Sequence, residues 1–177
     1  MRRALSSSDA GDLLRAERDV ATRLDELGSD VDIDFASMAA VANVFRVASA
    51  ARGHLERSVL ADVGLSFTAF TVLWVLWVWG EMATHDLAVD AGVTKGTLTG
   101  VVGTLERRDL ATRRRDPLDG RLVRVALTSR GDELMGGLFA RFNEGERRVV
   151  AGLSGGESAQ LATLLRKVLR SMEDLDG

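Results

Sequence analysis

Cysteine is absent from this 177-residue sequence, which excludes disulfides, thiolate zinc sites and any thiol-based redox switch. Histidine is scarce. His54 and His85 are the only two, and neither has a second histidine at helical spacing, so neither a metal site nor a cofactor is expected. Enzymatic chemistry lacks its motifs: no G-x-x-x-x-G-K-S/T phosphate loop and no G-x-S-x-G nucleophile turn occurs. The fragment Leu153-Ser154-Gly155-Gly156-Glu157 looks like part of an ATPase signature but is explained by helix capping, and an enzyme is not expected. Long apolar runs are missing too. No stretch of signal-peptide length follows Arg2-Arg3, and the most apolar run, Phe67 to Trp79, is too short to span a bilayer. A cytoplasmic protein with no membrane partner is the expectation. There is no internal repeat.

What is present is a soluble composition, 46% hydrophobic with a net charge of −3, enough for one compact domain with dimerisation elements. The charge is unevenly spread. Residues 94 to 130 hold nine basic side chains (Lys95, Arg107, Arg108, Arg113, Arg114, Arg115, Arg121, Arg124, Arg130) against four acidic ones. That segment is net +5 and the remainder −8, an asymmetry suited to phosphate and hidden by the whole-chain value.

The same segment carries the clearest local pattern. Thr84 is positioned to cap a short helix with Leu87, Ala88 and Ala91 on one face, and Gly92 supplies a left-handed residue after it. Thr94 caps a second helix with Leu98, Val101, Val102 and Leu105 as its buried stripe. The period then changes. Ala111 to Arg115 reads as a strand, Asp116-Pro117-Leu118-Asp119-Gly120 as a turn, and Leu122 to Leu127 as a second strand with Val123, Val125 and Leu127 on one face. Helix, turn, helix and basic hairpin are the parts of a winged helix-turn-helix, whose second helix enters the major groove by its N-terminal end.

Elsewhere, residues 9 to 27 are amphipathic and Gly28 to Asp34 reads as an acidic linker. Asp34 opens a longer helix containing Phe35, Met38, Val41, Phe45, Leu55 and Val59, with Gly64 at or after its end. Ser66 caps the nearly all-apolar Phe67–Trp79 helix, which must be covered on every side. Thr128 caps a helix to about residue 150 with Leu134, Leu138, Phe142 and Val149 inward. Ser154 and Glu157 form a capping box for the last helix, with Leu161, Leu164, Leu165, Val168, Leu169 and Met172 as its stripe.

The run LERRDLATRRRDPLDGRLVRVALTSRG resembles the MarR-type (multiple antibiotic resistance regulator) family from recognition helix through wing to the L-T-x-x-G that opens the next helix. The similarity extends over roughly residues 35 to 172. It implies a mainly α fold with a small β-wing, in which N- and C-terminal helices form a dimerisation region. The implied layout is an extension at 1–33, dimerisation helices at 34–62 and 129–172, a DNA-binding lobe at 66–128 (helix-turn-helix about 84–107, wing about 110–128) and an acidic tail at 173–177. The resemblance further implies a homodimeric transcription factor, a ligand-responsive repressor on a palindromic operator in double-stranded DNA. Carried onto this chain, the DNA contacts are Thr94, Lys95, Gly96, Thr97, Thr99, Arg113, Arg115 and Arg121. Phe45, His54, Phe70, Trp74 and Trp77 line a cavity for a small aromatic effector or, alternatively, are only core. This chain departs from the family at Gly100 and Gly103, where an arginine and an aspartate are usual, and at Asp109, where glycine is usual. The alternative reading is a dimeric interaction module whose winged helix has lost sequence-specific DNA reading.

Overall fold

The computed structural model describes residues 10–26 and 33–176. The expectations for residues 1–9, for most of the acidic linker (27–32) and for Gly177 lie outside the described residues. Two compact units are present, one ending at Ala50 and the other starting at Ala51. This division falls further along than the change expected at residue 34. The reason lies in side-chain pairing: Glu17 of α1 (Ala10–Glu26) accepts hydrogen bonds from Asn43 (3.0 Å) and Arg46 (3.4 Å) of α2 (Phe35–Leu55), tying the first part of α2 to α1. Asp34 caps α2 as expected, its carboxylate accepting from the backbone N–H of Ala36 and Ser37.

In the second unit the chain leaves α2 through a π-turn (Glu56–Leu60) and a 3-10 turn (Ala61–Val63), and it stops at Gly64 in the left-handed region (φ 60°). Ser66 then caps α3 (Phe67–Trp79), accepting from Ala69 N–H at 3.2 Å. Six α3 side chains are buried, among them Phe70, Val72, Leu73, Val75 and Leu76. Each such burial contributes about 1.5–3 kcal/mol for the larger side chains, so α3 is the axle of this unit. It is not covered all round, however: Val78 and Trp79 lie exposed near its C-terminal end.

After α3 come β1 (Met82–Ala83), α4 (Thr84–Asp90), α5 (Lys95–Arg107), β2 (Ala111–Arg115), β3 (Val123–Leu127), α6 (Ser129–Val149) and α7 (Gly155–Asp176). The hairpin expected from the sequence is one part of a three-stranded antiparallel sheet ordered β1-β3-β2. Met82 pairs with Val125 and Ala83 with Arg124, which places the start of α4 directly. Thr84 is therefore the first residue of α4 and not its cap; Ala83 holds the cap position with no side-chain bond.

The L-T-x-x-G run has a clear physical cause. Thr128 Oγ1 accepts from Gly131 N–H (3.1 Å), donates to the Asp109 carbonyl (2.6 Å), and the Thr128 N–H donates to the Leu110 carbonyl (3.2 Å). The first turn of α6 is thereby pressed onto the α5–β2 link so closely that a Cβ on Gly131 would lie 2.0 Å from the Leu110 oxygen. On α6 Leu138 and Phe142 are buried as expected, together with Met135; Leu134 is partly buried against the core and Val149 is exposed. Phe142 stacks on Phe70 with centroids 3.9 Å apart. Helix α7 continues through Asp176, so residues 173–176 of the expected acidic tail are helical.

Asp109 sits at φ 56°, the only non-glycine left-handed residue among the described residues. That conformation costs an L-residue of order 1 kcal/mol, less for aspartate than for most. Asp109→Gly is accordingly expected to leave stability unchanged or raise it by up to about 1 kcal/mol, and Asp109→Val to lower it by about 1–2 kcal/mol. Paired denaturant titrations check both.

Candidate nucleic-acid interface

The interface is assembled from α4, α5 and the β2–β3 wing. Helix α4 ends through Gly92 (φ 63°), where the Val93 N–H returns to the Ala88 carbonyl at 2.9 Å. This tight turn delivers Thr94, whose Oγ1 accepts from Thr97 N–H (3.2 Å) and shares a 2.9 Å contact with Thr97 Oγ1. Helix α5 buries Leu98, Val102 and Leu105. Its outer face presents Thr94, Lys95, Gly96, Thr97, Thr99 and Gly100, all exposed. The Thr99 hydroxyl donates back to the Lys95 carbonyl at 2.9 Å, so the threonines offer lone pairs while Lys95 offers an uncommitted cation.

Not every arginine counted in this segment is available. The register pairs Arg113 with Val125, on the strand face turned toward the core. Its guanidinium reaches Glu106 (3.2 Å) and the Thr99 carbonyl (3.1 Å), and its backbone N–H donates to Glu106 at 3.0 Å. Arg113, expected to meet DNA, is held by these bonds and fastens the wing to α5. The missing side chain at Gly103 makes room for it, since a Cβ there would lie 3.3 Å from the Arg113 Nη2. On the opposite strand face Arg114 and Arg124 converge on Glu81, with Arg124 also bound to Asp116 at 3.1 Å. Arg108 donates to the carbonyls of Val63 and Gly64, closing the turn before α3. Lys95, Arg115 and Arg121 are exposed, and their side chains have no hydrogen-bond or ion-pair partner among the described residues. They form the open cationic surface around the helix and wing.

Glu81 was not singled out in the sequence. It lies outside the basic stretch, and only the β1–β3 pairing brings it to the wing. The hydrogen bond from Arg114, then that from Arg124, holds its carboxyl below the usual carboxylate range. Asp116 is lowered first by the backbone N–H groups of Leu118 and Asp119 and then by Arg124. Arg124 is raised in turn by Glu81 and Asp116. Groups with depressed folded-state pKa values contribute stability above their unfolded values and lose it as pH falls through the folded ones. The wing root should therefore hold unchanged between pH 6 and 8 and loosen only in acid, below about pH 4. Lower amide protection factors across residues 111–127 in acid, taken against the intrinsic exchange rate at each pH, check this, and Glu81→Gln should bring that loss of protection to neutral pH.

Within the second unit, the expected effector residues on α3 border two recesses. Phe70 and Trp74 share an apolar recess of about 340 Å³ with Phe67, Thr71, Phe139 and Phe142. Trp77 packs on Phe139 (5.4 Å) but borders a different, more acidic recess with Glu81, Asp132 and Glu133. The reason is axial distance: seven residues of helix separate Phe70 from Trp77 by about 10 Å. His54 is half-buried, with Nε2 buried and lacking a partner among the described residues. Phe45 belongs to the first unit and is 71% exposed.

Comparison with known proteins agrees with this geometry. The MarR family model matches residues 65–123, which span α3, the helix-turn-helix and the start of β3. The uncharacterized HTH-type transcriptional regulator YwaE of Bacillus subtilis is 33% identical over 156 residues, 88% of this chain and 91% of YwaE. The HTH-type transcriptional repressor NicR of Pseudomonas putida is 29% identical over 113 residues, 64% of this chain and 72% of NicR. A structure of Bordetella bronchiseptica BpsR, solved for the regulation of its DNA binding by 6-hydroxynicotinic acid, superposes with a TM-score of 0.61 at 26% identity, covering 71% of this chain and 94% of BpsR. With a capped helix-turn-helix, a three-stranded wing and this similarity along most of its length, the chain belongs to the MarR family of winged-helix transcriptional regulators and is not an enzyme.

Proposed function

We propose that this regulator is a homodimeric, ligand-responsive repressor that binds a palindromic operator in double-stranded DNA. The observation that carries the reading is the division of labour among its cations: Arg108, Arg113, Arg114 and Arg124 are spent on internal bonds, while Lys95, Arg115 and Arg121 stay exposed beside the helix and wing. In this reading the exposed N-terminal end of α5 (Thr94, Lys95, Gly96, Thr97, Thr99) enters the major groove and Arg115 and Arg121 approach the phosphates and minor groove. Residues 66–128 act as the DNA-binding lobe and 34–62 with 129–172 as dimerisation helices. Dimerisation is supported by α7, in which Leu161, Leu164, Leu165, Val168, Leu169 and Met172 stay exposed in the single chain. Covering such a stripe against a second copy places two α5 helices about 34 Å apart, one turn of DNA. Repression and effector response are supported by analogy with NicR and BpsR, and the recess at Phe70 and Trp74 suits an aromatic ring.

The test is a salt titration on promoter duplexes. A particle of twice 19.1 kDa should bind with a log–log salt slope of about −5, from six phosphate contacts per dimer at roughly 0.9 each. A panel of aromatic acids should include one that quenches tryptophan emission and weakens the complex. Equal affinity for promoter and scrambled duplex would instead favour an interaction module without operator reading. Absence of any duplex binding by folded dimer would refute the proposal.

A further inference from the structure

We infer that Leu118 is an apolar wedge that the wing inserts into the minor groove, so that the protein selects its site partly through the deformability of the base steps under the wing tips. This rests on the duplex-binding reading above. Leu118 is 98% exposed in the turn that joins β2 to β3. Isolated exposed leucines are common on protein surfaces, but this one is presented by a fastened turn. Asp116 Oδ1 accepts from the N–H of Leu118 (2.8 Å) and of Asp119 (3.1 Å), Asp119 Oδ1 accepts from Arg121 N–H (3.0 Å), and the Asp116 and Leu122 N–H groups bond across the turn to Leu122 and Asp119 carbonyls. Pro117 removes further freedom. A residue held this way loses little entropy on insertion.

Charge points the same way. The two tip carboxylates, which would repel phosphate, each give an oxygen to backbone N–H groups, and Asp116 is further neutralised by Arg124. Arg115 and Arg121, flanking the tip, remain free to hold the strands on either side among the described residues. Meanwhile the exposed face of α5 reads base edges only with Lys95 and the short hydroxyls of Thr97 and Thr99, because Gly96 and Gly100 bring no side chain. Selectivity then draws on the wing as well as on α5. Leucine is among the side chains that pry open base steps from the minor groove and bend the duplex, and pyrimidine–purine steps (TA, CA/TG) open most easily.

The experiment selects duplexes bound by the full-length wild-type dimer from a randomised library. It then measures affinity and end-to-end fluorescence transfer on one selected duplex for wild type and Leu118→Ala. Wild type should bend the duplex and enrich TA or CA/TG steps at the wing positions. Leu118→Ala should straighten it, lose that enrichment and bind it roughly tenfold more weakly, with unchanged thermal unfolding and a smaller loss of affinity for unselected duplex. A variant that bends and selects as wild type does overturns the wedge alone, whereas a wild-type dimer that binds no duplex overturns the duplex-binding reading with it.

Discussion

Gly131→Ala is expected to lower the melting temperature by roughly 6–12 °C, the largest stability effect of any single methyl addition in the described residues. The added Cβ would stand 2.0 Å from the Leu110 carbonyl oxygen and 3.3 Å from Leu127 Cδ2. The first obstacle is backbone, held in place by the Leu110–Leu105 bond at 2.9 Å and the Thr128–Leu110 bond at 3.2 Å, so no rotamer change relieves it. Forced overpacking of this kind costs about 3 kcal/mol or more, which for a chain of this length corresponds to 2–4 °C per kcal/mol. The damage should also reach function, because the displaced segment joins α5 to the wing. Gly137→Ala in the same helix is the control. Nothing lies within 4 Å of a Cβ there, so relief of the glycine helix penalty should stabilise by up to about 1 kcal/mol. Differential scanning calorimetry on both variants at equal concentration checks the pair, and a Gly131→Ala protein that melts like wild type would contradict the close approach.

The largest effect on DNA binding is expected from Arg121→Ala. Its side chain has no partner among the described residues, so its removal leaves no buried carboxylate unpaired, and the fold should be unaffected. Loss of one phosphate contact per subunit should reduce the salt slope by about 1.8 and weaken binding roughly 10- to 100-fold at moderate salt. Arg113→Ala should behave differently. It releases Glu106 and the Thr99 carbonyl, so it should loosen the wing and lower the melting temperature while changing the salt slope little. Opposite results for the two variants, a slope change for Arg113 and none for Arg121, would reverse the roles given to them here. Fluorescence anisotropy on one duplex between 50 and 200 mM salt, alongside thermal unfolding, separates these outcomes.

Much of the local structure was legible because it is made by neighbours in sequence. Ser66, Thr94 and Thr128 cap their helices within three residues of their own positions, and Ser154 with Glu157 forms the expected box, Ser154 N–H to Glu157 at 2.8 Å. Gly64 and Gly92 take the left-handed conformation that stops a helix. The strand β1 was not legible, since two residues carry no periodic pattern and gain their conformation only from pairing with β3. Its absence from the sequence reading explains the wrong cap assigned to Thr84: a chain arriving from a paired strand needs no side-chain cap to be directed. The grouping of the α3 aromatics was hidden for a related reason. Aromatic residues on successive turns share a helix face, yet of the expected effector residues on α3 Phe70 and Trp74 border one recess and Trp77 another.

The interface divides along the same line. Nine cations between residues 94 and 130 could be counted in advance, and their excess over nearby acids is a property of composition that folding does not change. Which of them face outward was decided by long-range geometry: strand register turns Arg113 inward, and Glu81, far away in sequence, draws in Arg114 and Arg124. Amino-acid order alone was enough to specify the helices, the ends that Ser66, Thr94, Thr128 and Ser154 cap, and the basic character of the wing, because those depend on interactions a few residues apart. The division between arginines that hold the wing and those left for a partner needed the folded chain, because an ion pair forms only where three-dimensional packing brings opposite charges within reach.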